Sequence, residues 1–127
     1  MKNIEDELSY EIIGAAIEVH RHLGPGLLES AYEESLCYEL HSRQIAFKRQ
    51  VALPVNYKGV KLDCGYRLDI VVEEKVILEL KAIEKVLPIH DAQLLTYLKL
   101  ANVKLGLLIN FNNTIMKKGI KRIVNNL

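Results

Sequence analysis

The stretch GYRLDIVVEEKVILELKA, residues 65–82, decides how this chain folds. Tyr66, Leu68, Ile70 and Val72 alternate with Arg67, Asp69, Val71 and Glu73, the two-residue period of a strand. Glu73-Glu74-Lys75 is a polar turn. Residues 76–83 are then almost continuously apolar, as expected of a central strand covered on both faces. The pattern predicts strands over 60–72 and 76–83, paired antiparallel about a turn centred on Glu74. In that register Asp69 and Glu79 lie across from one another, equally far from the turn.

The charges are the anomaly. Glu79 and Lys81 leave the same face of their strand, with Cα atoms about 6.5–7 Å apart, a gap that can hold a water or a metal ion. A buried carboxylate must be paired, metal-bound or placed at an edge. On this strand alone, a Glu–Lys ion pair and a functional site fit equally well. Asp69 tips the balance, because two facing carboxylates repel unless positive charge sits between them. Lys81 supplies one charge and a divalent ion would supply the rest. Carboxylates with a water-rich shell suit a hard cation such as Mg²⁺.

On the N-terminal side, Ile12, Ile13, Ala16, Ile17, Val19 and Leu23 give an apolar helical face over 8–23, which Gly24-Pro25-Gly26 stops. Leu28, Tyr32, Leu36 and Leu40 define a second helix over 28–42, completing an αα-hairpin. Residues 47–57 read as a strand, ended by the turn formers of Asn56–Gly59. A crossover helix follows Pro88 over 89–101, and KLGLLINF (104–111) is a second buried strand. The tail over 114–124 fits either a helix or a last strand. The expected architecture is one α/β domain over 1–127, a mixed central sheet flanked by helices.

Four helical positions can approach the acidic pair. Glu29 lies beside the buried stripe of the second helix, where it either completes the cluster or favours the helix dipole. Gln93 and Tyr97 share one face of the crossover helix, and His90 stands three residues before Gln93. Walker, GxGxxG and GxSxG motifs are absent, and no histidine has a zinc-like partner. Cys37 and Cys64 form no CxxC pair and read as small apolar fillers. Every Asp and Glu lies at or before Asp91, whereas Lys99, Lys104, Lys117, Lys118, Lys121 and Arg122 follow it, a basic third that fits either plain solvated surface or a face toward phosphates. No apolar run approaches the ~20 residues of a membrane span, and the acidic N-terminus resembles no targeting segment, so a cytoplasmic protein is expected.

Asp69, Glu79-Leu80-Lys81 and Gln93-Leu-Leu-Thr-Tyr97 together resemble the motif series of the PD-(D/E)XK nuclease superfamily. The Gln-x-x-x-Tyr element is similar to that of its RecB-type exonuclease branch. Gly26-Leu-Leu-Glu29-Ser-Ala-Tyr32 matches the pattern that names the GxxExxY family, and Leu68 stands in place of the eponymous Pro. The resemblance covers nearly the whole chain. It implies a restriction-endonuclease-like core and a nuclease that hydrolyses DNA phosphodiester bonds with Mg²⁺ or Mn²⁺. Asp69, Glu79 and the Leu80 carbonyl would ligate the metal, joined by Glu29. Lys81 would orient or activate the attacking water, Gln93 and Tyr97 would support the site, and His90 and Tyr32 would be accessory. Lys117, Lys118, Lys121 and Arg122 would hold the nucleic-acid backbone by a salt-sensitive attraction. The alternative is a non-catalytic nucleic-acid-binding or adaptor protein that keeps the fold, and either leaves room for a protein partner.

Overall fold

Helix α1 (Ile4–Leu23) starts where Asn3 accepts the Asp6 amide at 2.8 Å, in a computed structural model that describes residues 3–127. Glu5, Asp6 and Glu7 fill its first turn and His20, Arg21 and His22 its last, the order the helix dipole favours. This polar cap, rather than the apolar face, sets the start, so α1 begins earlier than its periodicity predicts. Gly24, at φ 67°, ends it and returns its amide to the His20 carbonyl at 2.7 Å. Helix α2 (Glu29–Ser42) buries Tyr32, Leu36, Cys37 and Leu40, completing the expected αα-hairpin.

The strands are β1 (Phe47–Ala52), β2 (Val55–Tyr57), β3 (Val60–Leu62), β4 (Arg67–Val72) and β5 (Val76–Lys81). Helix α3 (Pro88–Ala101), β6 (Leu105–Asn110), a 3-10 turn (Met116–Gly119) and β7 (Ile120–Val124) complete the chain. The main sheet has the order β1-β4-β5-β6-β7, antiparallel except for the β5–β6 pair that α3 connects. Ile70 pairs with Leu78 and Val72 with Val76, the register predicted from the turn. Glu73 and Glu74 both take positive φ, the sign pattern of a type I′ turn. Glu73 is held there by exchanging two hydrogen bonds with the Ala46 backbone, each at 3.0 Å.

Two expected strands are broken. Pro54 has no amide for a ladder, and Gly65 turns the chain at φ 79° before β4. The outer halves pair instead as a separate ribbon, with Val55 opposite Leu62 and Tyr57 opposite Val60. The ambiguous tail is a 3-10 turn followed by a strand. Glycine allows it: a Cβ on Gly119 would lie 2.3 Å from the Asn110 carbonyl oxygen.

Helices α1 and α2 cover one face of the sheet, with Ile12, Ala16, Leu36 and Leu40 among the residues clustered with Ile70, Leu78, Leu107 and Ile109. Helix α3 covers the other, with Leu94, Tyr97 and Leu98 against Val71, Ile77 and Leu108. Each fully buried Leu or Ile contributes about 1.5–3 kcal/mol, so the central strands are anchored from both sides. Charge on β5 therefore sits in the best-packed part of the molecule.

Candidate active site

Pairing between β4 and β5 stops at Ile70 and Leu78. Asp69 and Glu79 are the next residues along, and side chains replace the missing ladder bonds. The Leu80 amide donates to Asp69 Oδ2 at 2.8 Å, and the Asp69 amide donates to Glu79 Oε1 at 3.4 Å. Each carboxyl is thus fixed by the backbone of the opposite strand. Asp69 is half-buried and Glu79 is 7% exposed.

Burial, reinforced by the Asp69 charge, raises the Glu79 carboxyl from its ordinary 4.5 to about 8. Burial also raises Asp69, with the Glu33 charge adding to it, while the Leu80 amide and Lys81 pull the other way. Lys81, half-buried and two residues beyond Glu79, interacts with both carboxyls. Tyr97 reaches the same place from α3. It is buried, its hydroxyl is raised chiefly by desolvation, and both carboxyls act on it.

The donor set fits a small hard cation that keeps most of its waters. Asp69 and Glu79 offer carboxylate oxygens, and the raised Glu79 carboxyl is one that an added positive charge would relieve. No group of three or more Asp, Glu, His or Cys side chains able to hold an ion occurs among the described residues.

The remaining expected residues divide. Gln93 is exposed and lines a groove together with Tyr97, one helical turn away. Glu29, the expected acid from the second helix, is exposed at the first position of α2, and the α2 acid that acts on Asp69 is Glu33, one turn deeper. Arg49 donates to Glu33 at 2.7 Å and the Gln50 side-chain amide at 2.8 Å, fixing it over β1. Tyr32 is not at the site. Its ring stacks on Phe111 at 4.4 Å, and its hydroxyl donates to the Gly24 carbonyl at 2.6 Å while accepting from the Leu27 amide at 3.1 Å. A fully buried ring that ties down the α1–α2 loop is structural. His90 accepts the Leu87 amide at 2.9 Å, so its imidazole caps α3.

The basic tail is split by strand alternation. Lys121 pairs with Asp91 of α3, whereas Arg122 pairs with Asp6 of α1, on the other side of the sheet. Lys117 and Lys118 are exposed on the 3-10 turn. Lys118, Lys121 and Lys85 line a cavity of about 420 Å³ beyond the C-terminal ends of β5 and β6.

Two positioning residues escape sequence reasoning. Asn110, 2% exposed, accepts from the Ile83 amide at 3.1 Å and donates to the Ile83 carbonyl at 2.9 Å, pinning the chain just after Lys81. The signal was a polar residue closing an apolar strand. Gln50 would stand opposite Asp69 by register, yet it is left out of the β1–β4 pairing and takes φ 49°. Nothing in the sequence announces that.

A mixed sheet whose central hairpin opens on a buried Glu flanked by a half-buried Asp and Lys fits a nuclease-type fold. The family model for the PD-(D/E)XK nuclease superfamily matches residues 6–123, and the chain belongs to that superfamily. Neither the curated proteins nor the solved structures gave a match.

Proposed function

We propose that the protein is a metal-dependent nuclease of the GxxExxY type that hydrolyses DNA phosphodiester bonds, with Mg²⁺ or Mn²⁺ as its cofactor. One observation carries the reading: a buried and a half-buried carboxyl meet where the β4–β5 ladder opens, and the Lys81 charge acts on both. Structural charges are rarely buried in pairs of like sign, whereas sites that handle cations and phosphates need them.

Asp69 and Glu79 would hold the ion, with the Leu80 carbonyl as a further oxygen. When bound, such an ion supplies charge neutralisation for the attacked phosphate and acidifies water. The chain's own residues do the rest. The Leu80 amide orients Asp69, leaving Oδ1 free of that bond. Lys81 Nζ donates to the attacking water and stabilises charge developing on the phosphate oxygens. Tyr97 and Gln93 border the substrate on the α3 side, and Lys85, Lys118 and Lys121 attract its backbone.

The test is a panel of single-stranded, duplex and branched DNA and RNA, incubated at low salt with Mg²⁺ or Mn²⁺. Cleavage is expected with DNA and is abolished by EDTA and by Asp69→Ala, Glu79→Ala or Lys81→Ala. Calorimetry separates the roles: the carboxylate variants lose metal binding, while Lys81→Ala keeps it and loses turnover. No cleavage, together with wild-type-like metal binding by Asp69→Ala, would overturn the reading in favour of a non-catalytic adaptor.

A further inference from the structure

We propose that the groove between the β2–β3 ribbon and α3 holds an unstacked base of single-stranded DNA, next to the phosphate that is cut. The proposal rests on the nuclease reading of Asp69 and Glu79 and names the form of nucleic acid that site takes.

The groove encloses about 460 Å³, within the range of built small-molecule sites. Val55 of the ribbon and Tyr66 form one wall, and Ile89, Gln93, Thr96 and Tyr97 of α3 form the other. None of its lining residues is charged. The Tyr66 and Tyr97 rings stand 5.9 Å apart at 60°, and Tyr66 is 44% exposed, so an aromatic face is open to an incoming ring. The Gln93 amide and Thr96 hydroxyl offer both donors and acceptors to a base edge. Apolar walls, an aromatic face and a few neutral polar groups are the complement of a nucleobase.

Position ties the groove to the site. Tyr97 belongs to both, within reach of the charge of both carboxyls and lining the groove. Tyr66 precedes Asp69 by three residues, about 10 Å of extended chain. The surroundings suit a phosphate backbone: the ribbon carries Lys58 and Lys61 without an acid, and Arg67 follows Tyr66. In a duplex the base faces are stacked on their neighbours and cannot enter, so the groove selects single strands and frayed ends.

A single-stranded oligonucleotide carrying the fluorescent base 2-aminopurine, and the same sequence as a blunt duplex, test this in EDTA, where nothing is cleaved. The single strand should bind at least about tenfold more tightly than the duplex and lose fluorescence on binding. Base–aromatic stacking predicts that Tyr66→Ala weakens single-strand binding at least about fivefold and abolishes the quenching, whereas Tyr66→Phe retains both. An unchanged thermal midpoint shows that the exposed position leaves the fold intact. Equal affinity for strand and duplex, or wild-type binding by Tyr66→Ala, overturns the proposal even if metal-dependent cleavage is observed. Quenching that depends on Tyr66 without any cleavage supports the groove and refutes only the nuclease reading.

Discussion

Replacing Glu79 by Gln should stabilise the metal-free protein in alkaline solution, although it removes a residue of the candidate site. The Glu79 carboxyl is raised from 4.5 to about 8, first by burial and then by the Asp69 charge. The folded protein therefore binds a proton that the unfolded chain has released between those two values. Stability is at its fullest below the unfolded value near 4.5 and is lost as the pH rises through about 8. At about 1.4 kcal/mol per unit, the shift corresponds to an upper bound of about 5 kcal/mol. Water entering the open end of the hairpin would relieve part of this, leaving an expected penalty of about 2–3 kcal/mol. Gln is neutral at every pH and keeps an oxygen to accept the Asp69 amide, so it escapes the penalty without leaving a gap.

Urea unfolding of both proteins in EDTA at pH 5, 7 and 9 measures this. The two proteins differ only at position 79, so the difference between the curves isolates it. The two proteins should be close in stability at pH 5 and differ by about 2–3 kcal/mol at pH 9, with Gln the more stable. Adding Mg²⁺ at pH 9 should raise only the wild type. Metal binding at pH 7 should release a proton, seen as a heat that depends on the buffer's ionisation enthalpy. Wild-type stability that rises from pH 5 to 9 relative to Gln would refute the burial argument, because it would mean that Glu79 is ionised and favourably paired in the fold.

Three other outcomes follow from the packing. Gly119→Ala should cost about 2–4 kcal/mol in urea unfolding, because its Cβ meets the Asn110 carbonyl rather than a movable side chain. Tyr32→Phe should cost about 1–2 kcal/mol, by loss of the bonds to Gly24 and Leu27, and leave cleavage per folded molecule unchanged. Lys118→Glu with Lys121→Glu should weaken DNA binding and flatten its salt dependence, whereas Arg122→Glu, on the α1 side, should alter neither.

What the sequence made legible follows from the range of each interaction. The Asp69–Glu79 juxtaposition was readable because a short turn fixes register locally and a two-residue period fixes the face. A helical wheel singles out Glu29 by direction, but it gives no depth. Glu29 and Glu33 both flank the buried stripe, and only the docking of α2 on the sheet determines which turn lies over Asp69. The β2–β3 ribbon is hidden in the sequence because strand propensity continues through Leu53-Pro54, and only the missing proline amide marks the break. Lys121 and Arg122 are neighbours in sequence, and only the pairing of β7 with β6 reveals that they serve opposite faces.

The hairpin opens where β5 stops pairing with β4, opposite a single-residue interruption of the β1–β4 ladder. β5 gives up its ladder with β4 after Leu78, and its next amide toward that side, from Leu80, goes to an Asp69 carboxylate instead of a carbonyl. On the far side of β4, Gln50 leaves the pairing at φ 49°, a conformation that costs a non-glycine residue about 1 kcal/mol or more. Its side-chain amide goes to Glu33. Beyond Lys81, the Asn110 amide takes the place of sheet bonds in fixing the chain at Ile83. Between β4 and β5, the substitution of side chains for backbone partners leaves room between strands that would otherwise close to about 4.8 Å. A leucine at position 79 and a continuous ladder would give a more stable sheet, with no opening for a cation or a phosphate. Unpaired backbone, a strained residue and two like charges thus occur together at Asp69 and Glu79, and the apolar packing on both faces of the sheet keeps the opening in place.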